Sequence, residues 1–222
     1  RILKLSVLEI EAIRKRQFKV ALDTCHGAGS TIFPQLLEAL GCRVEGINLV
    51  PDGLFHRPPE PVAENLGELS ELVRRTGAAI GFATDPDVDR LALVDDTGRA
   101  IGEDYTLALA TRVVLRRRRG PVVANLSTSR IVDDMAAEYG SEVIRAPVGE
   151  VNVAVRMRDE GAVIGGEGNG GVILPELHLG RDAPLPAALM LQLLVDEGLH
   201  LSGIVARFPQ YRIVKDKLDR PD

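Results

Sequence analysis

Short apolar runs bounded by turn residues alternate along this chain with longer stretches in which apolar side chains recur every three or four positions. The short runs read as buried strands and the longer stretches as helices with one apolar face. After an amphipathic lead over residues 1–16, read as a helix or connector, strands are expected at 18–22, 42–49 and 78–83. Helices are expected at 31–40, with Ser30 as its N-cap, and at 62–76, stopped by Gly41 and Gly77. Residues 91–94 and 99–101 read as a hairpin about Asp95-Asp96-Thr97-Gly98. The rhythm then repeats. A helix over 103–119 is followed by strands at 122–126, 142–145, 162–165 and 172–174, and by helices at 131–139 and 151–160. A helix from about residue 182 to 197, a short helix at 202–208 and a strand at 211–215 complete the chain. Strands alternating with helices predict an α/β fold. The repeated order predicts two tandem similar three-layer α/β domains with mainly parallel mixed sheets, covering 1–102 and 103–222.

One stretch breaks the apolar pattern with chemistry. Thr84-Asp85-Pro86-Asp87-Val88-Asp89-Arg90 places carboxylates at alternate positions between two apolar strands. Crowding three like charges is unfavourable unless a cation or strong donors compensate. All the nearby ligand atoms are oxygen, which selects a hard ion such as Mg²⁺, commonly held by a few carboxylates plus a phosphate. The spacing is not a calcium EF-hand, because its sixth position would be Arg90 rather than Gly and strands flank it. A phosphatase with Asp85 as nucleophile is a rival for the same residues. In the matching place of the second pass stands Gly165-Gly166-Glu167-Gly168-Asn169-Gly170-Gly171. Its glycines let backbone approach a ligand closely, and Glu167 and Asn169 offer groups suited to sugar hydroxyls. The match to a dinucleotide fingerprint is weak, since no helix follows. Ligands in such folds sit outside the carboxyl ends of the strands, so both loops are expected on one cleft.

Bulk properties narrow the class. With 222 residues, 45% apolar but no Trp and 4% aromatic residues, the core must be built from Leu, Val, Ile and Ala. The net charge of −5 argues against a general nucleic-acid binder. Two cysteines, Cys25 and Cys42, suggest buried thiols in a reducing, cytoplasmic setting. No stretch spans a bilayer, so no membrane partner is expected. The chain opens at Arg1 within a helical pattern and closes after a charged stretch, so it is expected to be part of a longer polypeptide. Arg116 to Arg119 read as solvated cations at a helix C-terminus. His26 reads as a packing or hydrogen-bonding residue, and Glu150 as first-turn helix stabilisation or a residue reaching the cleft.

Taken together, Leu22-Asp23-Thr24-Cys25-His26-Gly27-Ala28-Gly29, Asp85 to Arg90, Pro147-Val148-Gly149 and Gly166 to Gly171 resemble, in order, motifs of the α-D-phosphohexomutases, the superfamily of phosphoglucomutase, phosphomannomutase and phosphoglucosamine mutase. The resemblance covers essentially the whole chain and matches the second and third of that family's four domains. It implies interconversion of hexose 1-phosphate and 6-phosphate through a phosphoserine enzyme and a bisphosphorylated sugar, with a hexose phosphate as the partner and homo-oligomerisation left open. It further implies Mg²⁺ on Asp85, Asp87 and Asp89, Arg90 as the catalytic residue that places the phosphoserine or a catalytic partner, and Glu167, Gly168, Asn169 and Gly170 at the sugar. The serine motif of the first domain and the phosphate loop of the fourth are not in this sequence, so the chain alone is expected to be inactive. Asn169 and Gly171 stand where Ser and His are commoner, which leaves the hexose undecided. No Lys or His near Leu126 or Glu150 offers a proton-transfer residue. A noncatalytic phosphosugar-binding or scaffold protein is the competing class.

Overall fold

A computed structural model describes residues 1–211. The expected strand at 211–215, and the stretch 212–222 of the second domain, lie outside the described residues. The lead segment is a 3₁₀ turn at Ile2–Lys4 followed by a helix, α1 (Ile10–Arg16). The first sheet takes β1 (Lys19–Asp23), β2 (Arg43–Ile47), β3 (Ile80–Thr84) and β4 (Leu91–Val94) in the order β2-β1-β3-β4. Its first three strands are parallel and β4 runs antiparallel to β3. Helices α2 (Gly29–Ala39) and α3 (Gly67–Thr76) form the crossovers. The second sheet repeats the plan: β5 (Val122–Asn125), β6 (Val143–Ala146), β7 (Ile164–Glu167) and β8 (Gly171–Ile173) in the order β6-β5-β7-β8. Here α5 (Ile131–Ala137) and α6 (Glu150–Glu160) are the crossovers, and β8 is antiparallel. The central strands are legible as apolar runs because helices cover both their faces.

Between the two passes, α4 (Asp104–Arg117) touches β4 of the first sheet and β7 and β8 of the second. Helix α7 (Pro184–Glu197) packs on α4, α1, α2 and β4, and α8 (Leu201–Val205) follows it. Every residue of α7 from Leu185 to Leu194 is buried, which its all-round apolar sequence requires. One apolar cluster therefore runs from Leu5 and Phe33 through Leu107 to Leu189 without interruption. Both cysteines are buried and free.

Several expected details change. Ser30 lies inside α2 rather than capping it, and its hydroxyl binds Gly27 O and Thr24 Oγ1, both at 2.8 Å. The helix expected over 62–76 starts at Gly67, after a separate 3₁₀ turn at Ala63–Asn65. Of the expected strand at 99–101, one bridge remains, Val94 to Ala100. Arg117 is not a solvated cation: it binds Asp196 at 2.6 Å and Glu9 at 2.9 Å, tying α4 to α7 and the lead segment. Glu167 belongs to the buried end of β7, since the ladder to β8 continues through it.

Candidate functional site

Strands β3 and β7 occupy equivalent central positions, and the loops after their carboxyl ends meet. Leu91 N donates to Gly170 O at 3.1 Å, and Arg90 bridges Gly171. A Cβ on Gly170 would stand 2.5 Å from Leu91 O, at φ +92°, so only glycine permits this approach. The acidic loop is pinned from other sides as well. Ala28 N donates to Pro86 O at 2.8 Å, across a contact where a Cβ on Gly27 would lie 2.4 Å from that oxygen. Ala183 N donates to Val88 O at 3.0 Å. Val88 itself takes φ +66°, a costly conformation for a β-branched residue that the surrounding contacts enforce.

The loop gathers its three carboxylates. Asp85, Asp87 and Asp89 each offer one oxygen, and these all lie within 4.8 Å of one another. Asp85 is fully buried; its Oδ1 accepts from Asp89 N at 3.2 Å and Arg90 N at 3.1 Å, and its Oδ2 from Arg90 Nε. With both oxygens held, it is poorly placed to be a nucleophile. Asp89 Oδ1 is buried without a hydrogen-bond partner. An oxygen-only donor set with an orphaned acceptor fits a hard divalent ion. Arg90 is gripped in turn by Glu60. The Pro-rich loop that carries Glu60 is anchored by Arg57, which donates to the buried Asp23 Oδ2 at 2.7 Å and to Thr84 O at 2.6 Å.

On the second loop, Glu167 is 3% exposed and its carboxylate is already engaged. Oε1 accepts from Asn125 Nδ2 at 2.7 Å and Gly149 N at 3.1 Å, and Oε2 from Arg181 Nη1 at 2.7 Å. Asn169 turns its side chain back to Gly171 N at 3.2 Å. A Cβ on Gly168 would meet Asp104 Oδ1 at 2.2 Å, so this glycine too is a point of close approach. Arg181 bridges the two loops: one guanidinium nitrogen takes Glu167 and another takes Asp89. Glu150, the first residue of α6, accepts from Arg181 N at 2.7 Å, so it stands beside the residue that bridges the loops. His26 bonds Val50 O at 2.8 Å and Asn48 Oδ1 at 3.1 Å below the acidic loop, as a hydrogen-bonding residue.

The charges respond to this crowding. Burial drives the Asp85 carboxyl up, but its hydrogen bonds with Asp89 and Arg90 and the Arg90 charge outweigh that and hold it below the ordinary range. Asp89 is pushed up to about 7, by burial first, then by the Asp85 carboxylate beside it, with Arg181 opposing. The pair thus gives up its second proton only as the pH approaches neutrality. Arg57, Glu60, Arg181 and Asn125 carry no local pattern that would single them out; the only hint is that a site so rich in carboxylates needs cations from somewhere.

Known proteins share this fold. Residues 2–98 match the family model described as phosphoglucomutase/phosphomannomutase, alpha/beta/alpha domain II, and residues 102–211 match the corresponding domain III. The chain is 41% identical over 206 residues to a protein named "Probable phosphoglucosamine mutase" from Methanopyrus kandleri, covering 92% of this chain and 46% of that protein. It is also 41% identical over 212 residues to a phosphoglucomutase/phosphomannomutase from Thermococcus kodakarensis, covering 95% of this chain and 46% of that one. A crystal structure of a phosphoglucomutase/phosphomannomutase family protein from Burkholderia thailandensis superposes with a TM-score of 0.78 at 28% identity, over 90% of this chain and 46% of that one. The chain spans about half the length of the curated relatives it matches.

Proposed function

The chain belongs to the phosphoglucomutase/phosphomannomutase family through that family's second and third domains, and we propose that it forms the centre of a phosphohexomutase exchanging phosphate between the 1- and 6-positions of a hexose. The proposal includes a division at 102/103, with the metal loop in the first part and the sugar loop in the second. The observation that carries it is the junction of the two loops: the acidic loop and the glycine-rich loop meet, hydrogen-bonded backbone to backbone. Asp85, Asp87 and Asp89 would hold a divalent ion, Mg²⁺ by the hardness of their oxygens. Such an ion neutralises charge on a transferring phosphoryl group. Arg90, locked between Asp85 and Glu60, presents a fixed cation beside that group. Glu167, Gly168, Asn169 and Gly170 line the sugar side. Since Glu167 is already bound on both oxygens, its part is to hold Arg181 and the loop as much as to accept a hydroxyl. The phosphoryl-carrying serine and the closing phosphate loop would come from segments beyond this sequence, and this chain alone would not turn over.

The name of one relative points to glucosamine phosphate and that of another to glucose or mannose phosphate at the same identity, so the proposal stops at hexose phosphates. Asp87 is the exposed carboxylate of the cluster and is not used to hold the fold. In the whole protein Asp87→Ala should cut mutase activity by about 10²-fold or more while leaving the melting temperature within about 2 °C. Assays on glucose, mannose and glucosamine phosphates would check this. Activity within a few-fold of wild type would remove the metal role.

A further inference from the structure

Arg181 lies 92 residues along the chain from Asp89 yet binds it directly. Its other terminal nitrogen binds Glu167, its backbone N–H binds Glu150, and its Nε is buried without a hydrogen-bond partner, 3.6 Å from Glu150 Oε2. Its aliphatic stem crosses Gly171, where a Cβ would stand 2.3 Å from Arg181 Cδ. The stem is thus seated and the backbone tied, while the guanidinium reaches between three carboxylates, Asp89 of the acidic loop, Glu167 at the end of β7 and Glu150 at the start of α6. We propose that Arg181 is a displaceable counter-ion. It neutralises Asp89 until a divalent cation takes that carboxylate, and then turns its released donors to an anionic oxygen of the phosphosugar, so that cation and phosphosugar bind cooperatively. The proposal rests on the reading of Asp85, Asp87 and Asp89 as the cation site.

Three features support it. A guanidinium and a divalent cation on the same carboxylate repel each other, which weakens the arginine's hold once the ion is in place. Asp89 has one oxygen on Arg181 and another that makes no hydrogen bond and lies 3.5 Å from Arg90 Nε, so Arg181 holds only half of the carboxylate. A guanidinium with an unsatisfied Nε and a freed Nη2 presents the parallel pair of donors that suits phosphate oxygens. The same swing couples the loops, because Glu167 keeps hold of Nη1 throughout.

The test uses the whole protein at pH 8.5, with Mn²⁺ as a spectroscopic probe of the cation site and glucose 6-phosphate as the phosphosugar. Removing a competing cation should make Arg181→Gln bind Mn²⁺ at least about threefold tighter than wild type. Arg156→Gln, which removes the same charge from an exposed pair with Glu160, should leave Mn²⁺ affinity unchanged. In wild type, saturating Mn²⁺ should tighten glucose 6-phosphate by about threefold or more, and in Arg181→Gln that linkage should vanish. Arg181→Lys should keep near-wild-type Mn²⁺ affinity but lose much of the linkage, because an ammonium lacks the fork. Equal or weaker Mn²⁺ binding by Arg181→Gln, or linkage retained in it, overturns the proposal. If Asp87→Ala abolishes Mn²⁺ binding while Arg181→Gln changes nothing, the cation site stands and only the role of Arg181 falls. If wild type binds no Mn²⁺, both fall.

Discussion

Asp89 shows how much one side chain can be asked to do. It sits beside Asp85, faces Arg181, and holds a proton to about pH 7 because burial and its carboxylate neighbour outweigh the arginine. A cation binding there must displace that proton. Divalent-ion affinity should therefore rise with pH up to about 7 and level off above it, with about one proton released per ion below that point. Calorimetry of Mn²⁺ binding in buffers of different ionisation enthalpy would count the protons. The stability linkage has the opposite sense. Between the ordinary carboxyl value of 3.8 and about 7 the folded chain holds more protons at Asp89 than the unfolded one, so this residue's contribution to stability is lost as pH rises through that window. Added cation should restore it. A flat affinity profile from pH 5.5 to 8 would mean that Asp89 is not a ligand. At this scale the three aspartates are legible in sequence because their spacing is local and their charges demand an explanation. Arg181 is not, because its meaning lies in Asp89 and Glu167, and nothing in Gly180-Arg181-Asp182 points to them.

Elements carry the site by where they end. Strands β1, β3, β5 and β7 end on one side of their sheets, and the residues at or just past those ends, Asp23 to Gly27, Asp85 to Arg90, Asn125 and Glu167, carry the contacts of the site. The strands were readable because fully buried segments must be continuously apolar. Boundaries slipped where side chains rather than periodicity decide them, as at Ser30, whose hydroxyl closes the preceding turn. The loop between β2 and α3 reads only as proline-rich, yet it is a structural arm. Arg57 pins it to Asp23, which is 1% exposed, and Glu60 extends from it to Arg90. Breaking a buried pair leaves a charge uncompensated, so Arg57→Gln should cost about 3 kcal/mol in urea unfolding. Asp23 keeps two other donors, Cys25 N at 2.8 Å and Asn48 Nδ2 at 3.1 Å, which sets that figure at the lower end of the range for such pairs. Adding Asp23→Asn should recover part of the loss, because the stranded charge is gone. Equal and additive losses in the two single variants and their combination would show that the pair is not coupled.

The whole molecule folds two copies of one plan around a shared centre. The repeat was visible in the order of elements, since each pass is strand, helix, strand, helix, strand, loop, strand. The joining of the copies was not, because the helices that do it, α4 and α7, look from sequence like ordinary apolar segments. The all-round apolar α7 is buried from Leu185 to Leu194, so it takes its cover from protein. That cover comes from α4, α2 and β4 and from the lead segment, where α1 packs on it and Glu9 N donates to Gln192 Oε1 at 2.7 Å. A core shared in this way should melt as one unit. The chain offers a clean probe, because it has no Trp and its three tyrosines, Tyr105, Tyr139 and Tyr211, all follow the first sheet. Phe33 is fully buried in α2, in the first copy. Phe33→Ala should remove about 3–5 kcal/mol. In a chain of 222 residues a loss that size should lower the melting temperature by about 6–20 °C. Tyrosine near-ultraviolet dichroism should follow the backbone signal down by the same amount. A tyrosine transition that stays at the wild-type temperature while half the backbone signal moves would mean that the copies unfold independently, and that the contacts through α4 and α7 dock two finished units rather than complete one core.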